Sequence, residues 1–132
     1  MSINHYKKTL RAVESPRQIE RRIFARVTGH LSQKADAYDM AATSYERLGI
    51  LAGGLREALA ENQALWTALK HDLANPANAL TPELRAGLLS LAIWVEKTTG
   101  TVLGGRPGVR ALVEVNSNIL TALTDAPERM SA

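Results

Sequence analysis

The chain has no cysteine and no long hydrophobic run, and each absence excludes a class of protein. Without cysteine there can be no disulfide bond, thiolate metal site or cysteine nucleophile. The longest run of apolar or near-apolar residues, Leu88 to Val95, is too short to span a bilayer, and residues 1–8 lack the apolar segment of a signal peptide. We therefore expect a soluble, cytoplasmic protein without membrane insertion.

Residues that would carry catalysis or hold a cofactor are also scarce. The three histidines, His5, His30 and His71, are scattered and lack the spacing of metal ligands. The glycine-rich stretch 104–108 has neither a preceding strand nor the Lys-Ser/Thr pattern of a phosphate-binding loop. We therefore expect no enzymatic activity, no cofactor and no metal site.

The apolar residues that are present recur at helical spacing nearly throughout the chain. With 132 residues, 45% of them apolar, this pattern predicts a single all-α domain over residues 1–132. The expected architecture is a small bundle of about four helices. Residues 1–14 and 125–132 are expected to be flexible ends.

The first predicted helix starts with Ser15 as its cap and carries a stripe of apolar residues on one side. The chain is expected to turn or kink between Lys34 and Ser44. Asp36, Asp39 and Ser44 are the candidate caps of the next helix.

The second predicted helix has a heptad seam whose members are alternately four and three residues apart: Leu48, Ala52, Leu55, Leu59, Asn62, Trp66, Leu69 and Leu73. Such a seam is typical of a face buried against other helices. The pair Gly53-Gly54 interrupts the helix and is expected to mark a kink or a close helix contact. Asn75-Pro76 ends it, because the residue before proline avoids helical geometry.

The third predicted helix begins at Thr81-Pro82, with Thr81 as the cap, and is apolar almost all round. This distribution predicts a position in the middle of the bundle, with Trp94 in the core. After the glycine-rich stretch, a fourth helix places Asn116 in a seam between Leu112 and Ile119.

Positive charge is concentrated at the start of the chain. Residues 1–34 carry eight Lys or Arg against two Glu, whereas residues 35–132 carry eight basic and eleven acidic residues. The basic region is either a solvated helix face or a contact surface for phosphates, for which the candidates are Arg17, Arg21, Arg22 and Arg26. Glu20 lies among apolar positions, and neither Ile23 nor Phe24, three and four residues further along the helix, can pair with its charge.

Asn62 and Asn116 are polar residues within apolar seams. A buried amide without a partner costs about 1–3 kcal/mol, so each asparagine needs one. They either set the helix register, by bonding to each other or to a loop backbone, or bond the backbone of a partner in a groove. Trp66 likewise is either core or a binding anchor. The candidate partner-binding residues are therefore Glu20, Asn62, Trp66 and Asn116.

A continuous block in the second and third predicted helices forms a recognisable motif, made of Asn62, Leu65-Trp66, Asp72-Leu73, Pro76, Asn78, Leu80, Pro82, Leu84-Arg85-Ala86, Leu89-Ser90-Leu91 and Trp94-Val95. Tyr6, the stretch Ser15 to Glu20 and the stretch Leu112 to Asn116 extend it. Over about residues 6–123, the chain resembles the FlaF family of flagellar biosynthesis regulators from alphaproteobacteria. It departs at Gln63, where family members often have arginine.

The resemblance implies a regulator that binds flagellin as a cytoplasmic secretion chaperone and promotes flagellin synthesis or export. The leading hypothesis is that a groove of the bundle holds a helical terminal segment of flagellin. It implies no enzymatic activity and no cofactor. One alternative is a post-transcriptional regulator that contacts flagellin mRNA through the basic N-terminal helix. Nucleic acid is the less favoured partner, because that region has few aromatic residues for base stacking. Another alternative is a structural partner of an FlbT-like regulator.

Overall fold

The computed structural model describes residues 16–125, and the side chains of residues 20–122 within them. This part of the chain is helical and contains no strand. Its elements are α1 (Pro16–Asp39), α2 (Ser44–Ile50), a π-helical segment (Leu51–Leu55), α3 (Arg56–Ala74), α4 (Pro82–Leu103) and α5 (Val109–Asp125). Because α2, the π-helical segment and α3 form one kinked helix, residues 16–125 contain four helices, as the sequence predicted.

Side-chain contacts between α1 and α3 establish that these helices are antiparallel. The rings of Phe24 and Trp66 meet edge to face with their centroids 5.8 Å apart. Further along α1, His30 Nδ1 lies 2.9 Å from Glu61 Oε1. As the residue number rises along α1, the number of the facing residue on α3 therefore falls.

The other helices continue this alternation. The short connection from Ala74 to Pro82 turns α4 back along α3. Tyr38, near the end of α1, donates its hydroxyl proton to the carbonyl oxygen of Val102, near the end of α4. Hence α1 and α4 point in the same direction, and α3 and α5 point in the other.

The helices form a ring that is packed unevenly. Helix α1 packs most extensively against α5, and α3 packs well against α4. Contact between α4 and α5 is the slightest of the four neighbouring pairs. The side of α4 that faces α5 is therefore the least covered part of the ring.

The kink between α2 and α3 occurs at the predicted position. Gly53 has φ −89° and ψ 21°, and Gly54 has φ 118°, so the chain leaves helical geometry at these two residues. The prediction of a kink is confirmed. The π-helical segment also changes the phase of the seam, so that Leu51 is buried while Leu48 is 46% exposed. The assignment of Leu48 and Ala52 to a buried seam is wrong for this reason.

Helix α4 begins as predicted but does not lie in the middle of the bundle. The Thr81 hydroxyl oxygen accepts a hydrogen bond from the Leu84 backbone N–H at 3.3 Å, which confirms the cap. However, Trp94 is 36% exposed and Ile93 is 56% exposed. The prediction that Trp94 is core is wrong, because α4 packs mainly on α3 and only slightly on α5.

Further predictions concerned the end of the first helix, its cap and the two ends of the chain. Helix α1 ends at Asp39, within the predicted interval. The predicted cap Ser15 and the predicted flexible ends lie outside the described residues, apart from Asp125, which ends α5. Within the described part, no helix has the length and apolar character needed to cross a membrane.

Candidate functional site

Three of the residues singled out in the sequence form a hydrogen-bonded chain across the centre of the bundle. Trp66 Nε1 donates to Asn116 Oδ1 at 2.9 Å, and Asn116 Nδ2 donates to Asn62 Oδ1 at 2.7 Å. All three side chains are buried, at 0–1% exposure. The bond between the two asparagines is one of the predicted arrangements, and here it ties α3 to α5.

The buried position of these hydrogen-bonded side chains limits the roles that they can have. Bonds between buried amides are stronger in the low-dielectric interior, and breaking one leaves polar groups without water. The side chains of Asn62 and Asn116 lie inside the bundle, so a partner could touch them only if the helices parted. In the closed bundle they set the register between α3 and α5.

At the Asn62 end of this hydrogen-bonded series, buried polar atoms lack hydrogen-bond partners. Asn62 Nδ2 and Thr28 Oγ1 are both buried without a hydrogen-bond partner. The pairings of Phe24 with Trp66 and of His30 with Glu61 put Thr28 level with Asn62 across the α1–α3 interface. A buried donor and a buried acceptor therefore lie at the same level of the core.

Glu20 was expected to be an unpaired charge beside the apolar face of α1. The structure places it half-buried, and it has an interaction partner. The description of Glu20 as unpaired is therefore wrong.

The candidate phosphate-binding arginines do not share one face of α1. Arg22 and Arg26, four residues apart, lie on an exposed side, whereas Arg21 is half-buried, and the side chain of Arg17 lies outside the described residues. Both aromatic side chains of α1 within the described range, Phe24 and Tyr38, are buried. This part of α1 has positive charge but no exposed ring on which a base could stack.

The end of the bundle where α1 finishes is held by polar contacts that link distant segments. Asp39 accepts backbone hydrogen bonds from Gly108 at 2.9 Å, Val109 at 3.0 Å and Arg110 at 2.8 Å, so it caps α5. The sequence suggested Asp39 as a cap for the following helix. That helix is capped instead by Thr43, whose Oγ1 accepts from the Glu46 backbone N–H.

Arg47 forms further hydrogen bonds at the end of the bundle where α1 finishes. Its Nε donates to the Gly105 carbonyl oxygen at 2.6 Å, and its other nitrogens reach Ala41 O at 2.9 Å and Ser44 Oγ at 3.4 Å. Burial raises the pKa of the nearby Tyr38 hydroxyl; Arg47 opposes this rise and Asp39 adds to it. The two loops at this end are thus tied together.

A shallow cleft of about 300 Å³ lies between α3 and α4, on the tightly packed side of α4. Its lining is mixed, formed by Gln63, Trp66, Thr67, Lys70, His71, Ala74, Ala92 and Glu96. The Lys70 ammonium and the Glu96 carboxylate are 3.8 Å apart across it. No group of three His, Asp or Glu side chains among the described residues could hold a metal ion.

Another side of α4 carries a row of apolar side chains, which we call the α4 strip: Leu84, Leu88, Leu91 and Trp94. Its members are four, three and three residues apart and therefore lie along one side of the helix. Leu84 is 46% exposed and Trp94 is exposed, whereas Leu88 is half-buried and Leu91, also half-buried, packs against the core. The strip is centred about 100° around the helix from Ala92, which faces α3.

Comparison with known protein families gives a match that covers nearly all of the described residues. The family model described as flagellar protein FlaF matches residues 2–123. The chain belongs to the FlaF family. The resemblance found in the sequence is thereby confirmed, and the FlaF match includes both the buried hydrogen-bonded chain and the α4 strip. No curated protein and no solved structure matches the chain.

In this FlaF chain, the sequence singled out the buried polar residues and missed the exposed apolar ones. Trp94 was assigned to the core, and no exposed apolar surface was predicted on α4. The signal that could have identified them is the apolar surface of α4, which exceeds what one buried face requires. A helix that is apolar all round either lies in the middle of a bundle or presents part of its surface to a partner.

Proposed function

We propose that this FlaF-family chain is a flagellar regulator that binds an amphipathic helical segment of flagellin on the α4 strip, as a secretion chaperone in the cytoplasm. Family membership supports the flagellar role. The observation that carries the choice of surface is the exposure of Leu84 and Trp94 in line with two half-buried leucines. Contiguous exposed apolar side chains of this kind mark interaction sites in soluble proteins.

The dimensions of the α4 strip favour a helical partner. From Leu84 to Trp94 the strip is about 15 Å long, close to three helical turns. An amphipathic helix presents anchors at i, i+3, i+4 and i+7, which cover about 10 Å and so fit within the length of the strip. Gly87 lies within the strip with open space above its Cα, so a partner backbone can approach closely there.

The uneven packing of the ring supports the same location. Because α4 and α5 are in slight contact, an added helix can lie against α4 beside α5 without displacing a tightly packed neighbour. Leu84 and Trp94, with the exposed part of Leu88, provide a modest apolar area, which suits the reversible binding that a secretion chaperone requires. The proposal includes no catalytic step and no cofactor.

Binding can be tested with purified protein and flagellin from the same organism. We expect co-elution on a size-exclusion column and a dissociation constant measurable by calorimetry. Trp94→Glu places a charge in the α4 strip and should weaken binding at least about tenfold, equivalent to about 1.4 kcal/mol.

Ile93→Glu is the matched control, because Ile93 is also exposed on α4 but points away from the strip. It should bind flagellin like the unmodified chain. If the unmodified chain does not co-elute with flagellin, the proposed function is wrong. If Ile93→Glu and Trp94→Glu weaken binding equally, the α4 strip is the wrong surface.

A further inference from the structure

The hydrogen bonds that run from Trp66 through Asn116 to Asn62 have a fixed direction. An indole nitrogen can only donate, so the 2.9 Å bond from Trp66 Nε1 requires that the Asn116 atom it meets is the oxygen. The amide nitrogen of Asn116 is then the donor in the 2.7 Å bond to Asn62, and the Asn62 oxygen accepts it. The N–H groups of Asn62 Nδ2 are therefore left over at the end of the series.

These left-over donors lie in the core, close in level to a second polar group of the same kind. Asn62 is 0% exposed and Thr28 is 7% exposed, and neither Asn62 Nδ2 nor Thr28 Oγ1 has a hydrogen-bond partner. The two residues are level with each other across the α1–α3 interface. Buried polar atoms that no protein group satisfies are typically bonded to ordered water.

The neighbouring layer of the core provides the space for such a partner. Phe24 and Trp66 are each one helical turn from Thr28 and Asn62, and their rings meet with centroids 5.8 Å apart. Two large rings in contact set the separation of α1 and α3. Threonine and asparagine are shorter than these rings, so they should leave a small polar gap between them at that separation.

The chemistry of this gap favours a small neutral ligand. The ligand must accept a hydrogen bond from Asn62 Nδ2 and also bond the hydroxyl group of Thr28, and a water molecule does both. Among the described residues, the buried polar side chains are Thr28, Asn62, Thr99 and Asn116, none of which is charged. An ion in this gap would have no buried countercharge, and an unpaired charge in the core is costly.

We propose that Asn62 and Thr28 bind one water molecule inside the bundle and that this water joins α1 to the hydrogen-bonded series. The water accepts a hydrogen bond from Asn62 Nδ2 and donates one to Thr28 Oγ1. Bonds in such a connected network strengthen one another in the low-dielectric interior. One polar layer then links α1, α3 and α5, whereas the direct side-chain bonds link only α3 and α5. The inference does not depend on the proposed function.

Oxygen-17 relaxation dispersion of the solvent tests the proposal, because it counts the long-lived water molecules inside a folded protein. Thr28→Val keeps the shape of the side chain and removes the hydroxyl, so the count should fall by one. Thr99→Val is the matched control: Thr99 is also buried, at 5% exposure, but its Oγ1 donates to the Val95 carbonyl oxygen at 2.7 Å. Its count should equal that of the unmodified chain.

Two outcomes of this measurement would overturn the proposal. One is an unchanged count in folded Thr28→Val, which would show that no water depends on the Thr28 hydroxyl. The other is an equal loss in Thr28→Val and Thr99→Val, which would report a general loosening of the core.

Diffraction from crystals of the unmodified chain needs no variant and gives an independent answer. We expect one peak of electron density within about 2.7–3.2 Å of both Asn62 Nδ2 and Thr28 Oγ1. A direct bond between the two side chains, or no density between them, would refute the inference. Crystals grown in bromide test for an anion, and anomalous scattering from this gap would show that the ligand is an ion and not water.

Discussion

Asp39 Oδ1 accepts a hydrogen bond from the backbone N–H of Val109 at 3.0 Å, although the two residues are 70 positions apart in the chain. The last residue of α1 thus caps the first turn of α5. A carboxylate at a helix N-terminus satisfies free backbone N–H groups and interacts favourably with the helix dipole. This contact couples the end of one helix to the start of another.

Removing this cap should destabilise the fold. Asp39→Ala is expected to lower the free energy of unfolding by about 1–2 kcal/mol, as measured by urea denaturation. Asp39→Asn should cost less, since asparagine is also a good cap. Asp36→Ala is the control, because the exposed ion pair of Asp36 with Arg110, at 3.3 Å, should contribute little. Equal losses for Asp36→Ala and Asp39→Ala would contradict the capping role.

The buried chain from Trp66 to Asn62 should behave as one unit. Asn116→Ala leaves both neighbours without a partner and is expected to cost about 2–4 kcal/mol. Trp66→Phe removes one donor and should cost about 1–3 kcal/mol. In the double variant the losses should not add, with a coupling of about 0.5–3 kcal/mol. Additive losses in urea denaturation would show that the observed bond has no energetic role.

The two tryptophans should differ in their contribution to stability. Trp66 is fully buried, so Trp66→Ala is expected to cost about 3–5 kcal/mol of the free energy of unfolding. Trp94 is 36% exposed, so Trp94→Ala should cost less, about 2–3 kcal/mol. Thermal denaturation followed by circular dichroism compares them directly. A loss for Trp94→Ala as large as that for Trp66→Ala would show that Trp94 is a core residue and does not belong to the α4 strip.

The glycine pair at the kink offers a matched comparison. Gly54 has φ 118°, where an L-residue is strained, so Gly54→Ala should cost about 1–2 kcal/mol. Gly53 has a negative φ and open space around it, so Gly53→Ala should be neutral or slightly stabilising. Urea denaturation of both variants tests this. Equal destabilisation would mean that the left-handed conformation at Gly54 is not required.

Burial of Tyr38 predicts a loss of stability in alkali. Burial raises the pKa of its hydroxyl above the ordinary 10.0, so the folded state holds the proton more tightly than the unfolded state does. This contribution is complete below pH 10.0 and is lost as the pH rises through the folded-state pKa. Unfolding free energies measured from pH 8 to 11 should fall more steeply in the unmodified chain than in Tyr38→Phe. Parallel curves would contradict the shift.

Much of the architecture follows from local features of the sequence. The helical period, the Thr81 cap and the kink at Gly53-Gly54 depend on residues within one or two turns, and all three are present in the structure. The pairing of Asn62 with Asn116 was also predictable as one of three arrangements, since a buried amide must find a partner.

The tertiary structure alone decided which surfaces are covered and which ends meet. Exposure of Trp94 depends on how closely α5 approaches α4, and exposure of Leu48 depends on the phase shift of the π-helical segment. The helix capped by Asp39 is α5, because the bundle brings these ends together across 70 positions. Periodicity is a property of neighbouring residues, whereas burial depends on helices contributed by distant parts of the chain.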